Sequence, residues 1–155
     1  MDAHERGLHE ALKIAAHSSC QFRVGAAFVR RKGNVLSACN VSARDAVPRA
    51  LAGVWAPWLS IHAEIALILR AARLGWTTQD STLYVARSLR VDPWVGNAAP
   101  CPDCRRAVVL AGVRLVVSTY TPTTYGKWCL KTGESTFVST EAFSRESPRG
   151  GRVGR

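Results

Sequence analysis

Two stretches decide the fold of this chain: His62-Ala63-Glu64-Ile65-Ala66-Leu67-Ile68-Leu69 and Pro100-Cys101-Pro102-Asp103-Cys104. Each places metal-binding side chains at the start of a run with helical spacing. One histidine and two cysteines supply three of the four ligands of a tetrahedral zinc ion, and the fourth position then remains for water. Because an open position is typical of a catalytic site, the sequence predicts that His62, Cys101 and Cys104 bind one catalytic Zn²⁺.

Glu64 is not needed to complete this set of ligands. Zinc lowers the pKa of a bound water toward about 7, which makes hydroxide available at neutral pH. A carboxylate two residues from a ligand can carry protons between that water, a substrate nitrogen and a leaving amine. We therefore predict that Glu64 is the catalytic acid and base. The combination of His-x-Glu with Pro-Cys-x-x-Cys is typical of zinc-dependent nucleobase deaminases.

The two cysteines are predicted to lie at a helix start. Cys101 and Cys104 are three residues apart, so they share one face of a helix. Pro102 is placed to begin that helix, because proline is favoured in a first helical turn. The positive end of the helix and the zinc ion would favour the thiolate over the thiol.

The histidine motif is also predicted to lie at a helix start, with Ser60 as the expected N-cap. In an ideal helix, positions 62 and 64 point about 200 degrees apart and cannot share a lateral face. They converge only if the metal lies over the end of the helix. The two motifs therefore predict two helix N-termini directed at one metal.

Each motif alone has a plainer interpretation. A Cys-x-x-Cys pair is often half of a structural zinc knuckle or a redox pair, and an isolated His-x-Glu carries no information. A structural zinc protein would leave Glu64 without a role. The conjunction of the two motifs therefore favours catalysis.

Length and composition predict one compact domain. Of the 155 residues, 47% are hydrophobic, and we assign residues 1–144 to a zinc-dependent deaminase domain and residues 145–155 to a basic, disordered tail. The sequence has no apolar run long enough for a membrane span and no secretory signal pattern, so we expect a cytoplasmic protein with no membrane partner. In that compartment we expect Cys20, Cys39 and Cys129 to be reduced and buried.

The net charge of +10 is the strongest compositional signal. Such a charge attracts phosphates, whether on a nucleotide or on a polynucleotide. Arginine-rich surfaces are common, so the charge alone does not predict nucleic-acid binding.

The remaining pattern predicts an α/β layer fold with a mixed sheet. Apolar spacing predicts an amphipathic helix over residues 4–17, and the runs 22–30 and 34–39, joined through Gly33, predict a hairpin. The segment from Val41 to Trp58 is long for a connection and is a candidate wall of the substrate site. Further predicted elements are a buried helix over 61–74, a strand over 82–86, a loop over 91–99, a helix from the cysteine motif to 111, strands over 114–119 and 136–138, and a short helix from Glu141.

Over most of positions 8–120 the chain resembles the cytidine deaminase-like superfamily. Besides the two motifs, Ser19-Cys20-Gln21-Phe22-Arg23-Val24-Gly25-Ala26-Ala27 followed by Cys39-Asn40-Val41 looks like the first strands of free-nucleoside cytidine deaminases. The resemblance implies a three-layer α/β/α fold with a central mixed five-stranded sheet. It also implies that Phe22 packs near the pyrimidine and that Asn40 binds the ribose 3′-hydroxyl. An asparagine after a strand is also an ordinary turn residue.

The resemblance further implies a reaction. An activated water would attack C4 of a cytosine ring, Glu64 would protonate N3 and then the leaving amine, and ammonia would depart to leave uracil. The backbone N–H of Ala63 would contact the base oxygen, and the carbonyl of Pro100 would hold the exocyclic amine.

The chain departs from the free-cytidine pattern in its ligands. Those enzymes typically bind zinc through three cysteines and follow the Asn-Val pair with glutamate, whereas this chain has His62 and Ser42. The His-Ala-Glu motif and Leu83-Tyr84-Val85 are more similar to deoxycytidylate deaminases, and the His-Ala-Glu motif also to tRNA adenosine deaminases. The Asn-Gly-Phe-Pro turn that is usual in the deoxycytidylate group is missing.

Two substrate classes therefore remain. The first is a free cytosine nucleoside or nucleotide (cytidine, deoxycytidine or dCMP), held in the closed pocket of a homo-oligomer. The alternative is an editing deaminase acting on tRNA adenosine or on cytosine in single-stranded DNA or RNA. The net charge supports this alternative, as do four tryptophans in segments predicted as loops, although a core position is the plainer interpretation of each. These tryptophans are Trp55, Trp58, Trp94 and Trp128.

Overall fold

The computed structural model describes residues 1–30, 33–42, 45, 60–88 and 95–143. Within these residues the helices are α1 (Ala3–Ala15), α2 (Ala63–Arg73) and α3 (Pro102–Leu110). The strands are β1 (Arg23–Val29), β2 (Val35–Cys39), β3 (Val41–Ser42), β4 (Ser60–Ile61), β5 (Thr82–Ser88), β6 (Val95–Gly96), β7 (Leu115–Thr121), β8 (Thr124–Cys129) and β9 (Ser135–Ser139).

The strands form a mixed sheet in the order β2-β1-β5-β7-β8-β9, with β6 also paired to β5. β5 and β7 are parallel, and the other pairs in this sheet are antiparallel. β3 and β4 form a separate two-stranded ribbon. The predicted α/β class with a mixed sheet is confirmed, and the sheet holds more strands than the five expected.

Helices cover both faces of the sheet, which gives the expected three layers. On one face, α1 packs its buried Leu8 and Ala11 into one apolar cluster. On the other face, Leu67 of α2 and Val108 of α3 belong to a second cluster. The sheet residues of the first cluster include Ala27, Tyr84 and Val117, and those of the second include Ala26, Phe28, Val85 and Val116.

The contact between α1 and β1 is close at Gly25. A Cβ atom at Gly25 would lie 2.0 Å from the carbonyl oxygen of Ala11, so only glycine fits there. This contact fixes the start of β1, where Phe22 and Val24 reach the candidate site.

Most predicted elements are confirmed, with small differences in their ends. Gly33, with φ of 77°, forms the hairpin turn as expected, and α3 begins at Pro102. Ser60 is not the N-cap of α2, because it pairs with Ser42 in the β3-β4 ribbon and His62 takes the N-cap position. α2 is not buried all round, since Leu69 is 48% exposed.

The C-terminal part differs more from the prediction. β8 was not predicted, and Trp128 lies in it rather than in a loop. The strand predicted at 136–138 is present as β9. The described residues 141–143 contain no helix beginning at Glu141.

Several predictions fall outside the described residues. These are the candidate wall over most of Val41 to Trp58, the tail over 145–155, and the positions of Trp55, Trp58 and Trp94. The five cysteines are free, and Cys20, Cys39 and Cys129 are partly rather than fully buried. No helix in the described part of the chain is long and apolar enough to cross a membrane.

Candidate metal centre and active site

The side chains predicted to bind the metal lie at two helix N-termini, as the motifs predict. His62 is the N-cap of α2 and Cys101 is the N-cap of α3, each in an extended backbone conformation. The Cys101 sulfur also accepts a hydrogen bond from the backbone N–H of Cys104, at 3.5 Å. This cap places Cys104 one turn along the helix, on the same side as Cys101.

The three predicted ligands converge. Nδ1 of His62 lies 3.5 Å from Sγ of Cys101 and 3.3 Å from Sγ of Cys104. Zinc bonds of about 2.0–2.1 Å to nitrogen and 2.3 Å to sulfur would place such atoms about 3.6 Å apart in a tetrahedron. The possible ligand atoms of His62, Cys101 and Cys104 all lie within 4.8 Å of one another. Among the described residues, no other three histidine, cysteine or acidic side chains form such a group. The donor set and its spacing therefore fit a zinc ion.

Glu64 lies beside this centre and is 4% exposed. Burial raises the pKa of Glu64. The hydrogen bond that the carboxylate accepts from its own backbone N–H, the charge of His62 and the hydrogen bond from Cys104 oppose the rise only in part. Burial and the charge of Glu64 also raise the pKa of the Cys104 thiol. A bound zinc ion would reverse that balance, because a coordinating thiol is deprotonated.

A cavity of about 230 Å³ adjoins the metal centre. Its lining includes the predicted residues Phe22, Asn40, His62, Ala63, Glu64 and Cys101. Phe22 is 57% exposed, so its ring borders the cavity without being enclosed by the described residues. The cavity therefore opens onto two of the three candidate ligands and onto Glu64.

Asn40 is buried and held by three hydrogen bonds. Its Oδ1 accepts hydrogen bonds from the hydroxyl of Ser18 at 2.6 Å and from the N–H of Val24 at 2.9 Å. Its Nδ2 donates to the carbonyl of Phe22 at 2.6 Å. The side chain therefore organises the start of β1, and an amide has one further N–H to donate.

Pro100 is placed differently from the other predicted residues. It lines a neighbouring cavity of about 370 Å³, which shares Ala99 with the first cavity. The Pro100 carbonyl accepts a hydrogen bond from Nε of Arg105 at 3.0 Å. Arg105 in turn lies over the ring of Trp128, with its guanidinium carbon 5.2 Å from the ring centre.

Among the cavity residues that were not predicted from the sequence, Arg87 and Asn97 carry the largest polar side chains. Asn97 Oδ1 accepts a hydrogen bond from the N–H of Ala99 and so shapes the turn before the cysteine motif. Arg87 shares a strand face with the buried Val85, because side chains alternate along a strand. That alternation places Arg87 on the face of Val85, but it does not show that Arg87 reaches the cavity.

Comparison with known proteins identifies the family of the chain. Residues 1–120 match the family described as the cytidine and deoxycytidylate deaminase zinc-binding region. The chain belongs to this family. Two curated relatives, the deoxycytidylate deaminases of enterobacteria phages T2 and T4, are each 36% identical over 63 residues, or 41% of this chain. The match spans only 28% and 27% of those two proteins.

Solved structures of this family share the fold. Cytidine deaminase from Burkholderia pseudomallei matches with a TM-score of 0.56 and 20% identity, over 92% of this chain and 96% of that chain. The dCMP deaminase of cyanophage S-TIM5 matches with a TM-score of 0.55 and 23% identity, over 77% of this chain and 86% of that chain. This chain is therefore similar in fold to members that are named for a nucleoside and for a nucleotide.

Proposed function

We propose that this protein is a zinc-dependent hydrolase that deaminates a cytosine nucleoside or nucleotide to the uracil product and releases ammonia. The observation that carries this proposal is the placement of a buried carboxyl, Glu64, in one cavity with a His-Cys-Cys group that fits zinc. When bound, zinc would supply a water of lowered pKa at neutral pH.

Glu64 is suited to moving protons in this reaction. Its carboxyl lies at the second residue of α2, next to the ligand set but outside it. Burial raises its pKa toward the working pH, and a catalytic acid and base is most effective when its pKa is near that pH. We assign to Glu64 the transfer of one proton to N3 of the base and another to the leaving amine.

Ala63 is suited to orienting the base. The first backbone N–H groups of a helix have no partner within the helix. The first hydrogen bond of α2 runs from Ala66 to the carbonyl of His62, so the N–H of Ala63 is one of those donors. Ala63 also lines the cavity. Its N–H can therefore donate to the oxygen on C2 of a pyrimidine.

Position supports the other binding roles, within the cavity for Phe22 and Asn40 and beside it for Pro100. Phe22 offers an aromatic face to the base, and Asn40 offers an amide to the sugar. Pro100 retains its proposed contact with the exocyclic amine, through the second lone pair of a carbonyl that Arg105 already orients. The exposed ring of Phe22 supports closure of the site by another surface, and we propose a homo-oligomer in the cytoplasm.

The test is ammonia release from a panel of compounds. The panel contains cytidine, deoxycytidine, CMP, dCMP, dCTP, short cytosine oligonucleotides and a tRNA stem-loop containing adenosine. We expect turnover of at least one monomeric cytosine compound, with weak salt dependence, and nearly the same kcat/KM after removal of residues 145–155. Activity restricted to polynucleotides, falling by orders of magnitude between low and physiological salt, would instead support the editing alternative.

A further inference from the structure

We propose that Arg87 forms a phosphate subsite in the wall of the Glu64 cavity, so that the substrate is a cytosine mononucleotide rather than a nucleoside. This inference rests on the proposed function for the identity of the base. The subsite itself rests on the surroundings of Arg87, which neither the two motifs nor the family match assigns.

The sheet directs Arg87 toward the cavity. Arg87 pairs with Val24 on β1, and Arg87 and Val24 both line the cavity. On its other side, β5 pairs Arg87 with Gly96 of β6. A Cβ at Gly96 would lie 3.3 Å from Cδ of Arg87, so glycine leaves room for the arginine stem.

One aromatic ring holds the Arg87 guanidinium group. Its central carbon lies 4.5 Å from the centre of the Phe22 ring, within the range of a cation–π contact. Phe22 is the residue to which we assign the base contact. A substrate that reaches the Phe22 ring therefore also reaches the charge of Arg87.

The hydrogen-bonding capacity of Arg87 is not used within the described residues. Its Nε is buried without a hydrogen-bond partner, and no salt bridge joins its side chain to a described acidic residue. A buried N–H without a partner is costly, and a ligand oxygen would satisfy it. The planar guanidinium group matches the geometry of a phosphate through paired hydrogen bonds.

Three other arginines of the described residues already have partners. Arg70 donates to the carbonyl of Ser37, Arg105 donates to the carbonyl of Pro100, and Arg30 lies over Trp76. Arg23 resembles Arg87 in having a buried Nε without a partner, but Arg23 does not line the cavity. Arg23 is therefore a matched control for a change at Arg87.

The experiment compares phosphorylated and unphosphorylated ligands on the zinc-loaded enzyme. We expect kcat/KM for dCMP to exceed that for deoxycytidine by about tenfold or more. Arg87→Gln should lower the value for dCMP by about tenfold to a hundredfold, mainly through KM, because charge-assisted hydrogen bonds are lost. The ratio of the dCMP value to the deoxycytidine value should therefore fall by about tenfold or more in Arg87→Gln. Arg23→Gln should leave this ratio unchanged.

Binding of the products gives a readout without turnover. By calorimetry, dUMP should bind wild type at least about tenfold more tightly than deoxyuridine, and Arg87→Gln should remove that difference. Three results would overturn the proposal. Arg87→Gln could weaken the binding of dUMP and deoxyuridine equally, Arg23→Gln could weaken the binding of dUMP as much as Arg87→Gln does, or the wild type could show no preference for dUMP. Preference for an oligonucleotide over dUMP would overturn the mononucleotide assignment.

The two proposals can fail separately. Absence of ammonia release from every cytosine compound, with dUMP binding that depends on Arg87, would refute deamination and retain the phosphate subsite. Deamination of nucleosides and nucleotides at equal rates in wild type and in Arg87→Gln would refute the phosphate subsite and retain the proposed deamination. Equal melting temperatures of the variants would show that the binding changes do not reflect misfolding.

Discussion

Nδ1 of His62 lies 3.3 Å from Sγ of Cys104, although 42 residues separate them in the chain. The parallel pairing of β5 and β7 explains this contact. α2 leads into β5 and α3 leads into β7, so both helices run against their strands and begin at the carboxyl edge of the sheet. Ligand sites of α/β folds typically lie at that edge.

The first prediction concerns the metal. The purified protein should contain about one zinc per chain, and Cys104→Ser should lose the zinc and lower the melting temperature, because metal binding is coupled to folding. Cys129→Ser is the control, since Cys129 lies outside the ligand set and should keep full zinc content. Elemental analysis and thermal unfolding provide the measurements. Stoichiometric zinc in Cys104→Ser would contradict the assignment.

The second prediction concerns proton transfer. Glu64→Gln preserves the shape of the side chain but cannot carry a proton, so turnover should fall by about a hundredfold or more while zinc is retained. Steady-state ammonia release and elemental analysis on one sample separate these two properties. Wild-type turnover in a Glu64→Gln preparation would exclude the catalytic role.

The third prediction concerns Asn40, which is 6% exposed. Asn40→Ala removes three side-chain hydrogen bonds and leaves the N–H of Val24 and the carbonyl of Phe22 without these partners, and we expect a loss of about 1–3 kcal/mol in the free energy of unfolding. Below its melting temperature, the variant should also show a raised KM, because a sugar contact is lost. Urea unfolding and steady-state kinetics measure the two effects.

Ser18→Ala is the control for Asn40. It removes one of the three hydrogen bonds of the Asn40 amide, together with the contacts of the Ser18 hydroxyl with the Asn40 carbonyl and the Cys20 N–H, so it should also lower stability. Because Ser18→Ala keeps the amide, it should leave KM nearly unchanged. An unchanged KM in Asn40→Ala, together with reduced stability, would show that Asn40 acts only on the fold.

The geometry of the candidate metal centre was largely predictable from sequence because the cysteine motif is local. Cys101, Pro102 and Cys104 specify a capped helix start within four residues, and that start alone sets the direction of both sulfurs. The convergence with His62 was inferred from the chemistry of zinc rather than from any pattern of spacing.

Features that depend on the pairing of strands distant in sequence were not predictable from a local pattern. Ser60 has the chemistry of an N-cap, but its pairing with Ser42 places it in a strand. β8 contains Gly126 and Lys127, which interrupt apolar alternation, so its signal was too weak. Arg87 reaches the cavity through the register of β1 against β5, and a single strand does not reveal that register.

The last prediction concerns the capping box at the start of α1. The carboxylate of Asp2 accepts a hydrogen bond from the N–H of Glu5 at 2.8 Å, and Glu5 accepts one from the N–H of Asp2 at 2.7 Å. The hydroxyl of Tyr125 donates to Asp2, and that of Thr140 donates to Glu5. One local cap thus ties α1 to the C-terminal strands.

These bonds make the cap dependent on pH. The backbone hydrogen bond from Glu5 lowers the pKa of Asp2, and the hydroxyl of Thr140 lowers the pKa of Glu5. A carboxyl whose pKa is lower in the folded state stabilises the fold fully above its unfolded pKa, near 4. That contribution is lost as the pH falls through the folded pKa.

Asp2→Ala should therefore cost about 1 kcal/mol at pH 7, and the difference from wild type should shrink below about pH 4. Asp2→Asn is the control, because asparagine caps a helix without titrating. Urea unfolding of wild type and both variants at each pH measures the differences directly, and loss of zinc in acid cancels in the comparison. A difference between wild type and Asp2→Ala that is constant from pH 7 to pH 3 would show that ionisation of Asp2 does not stabilise the fold.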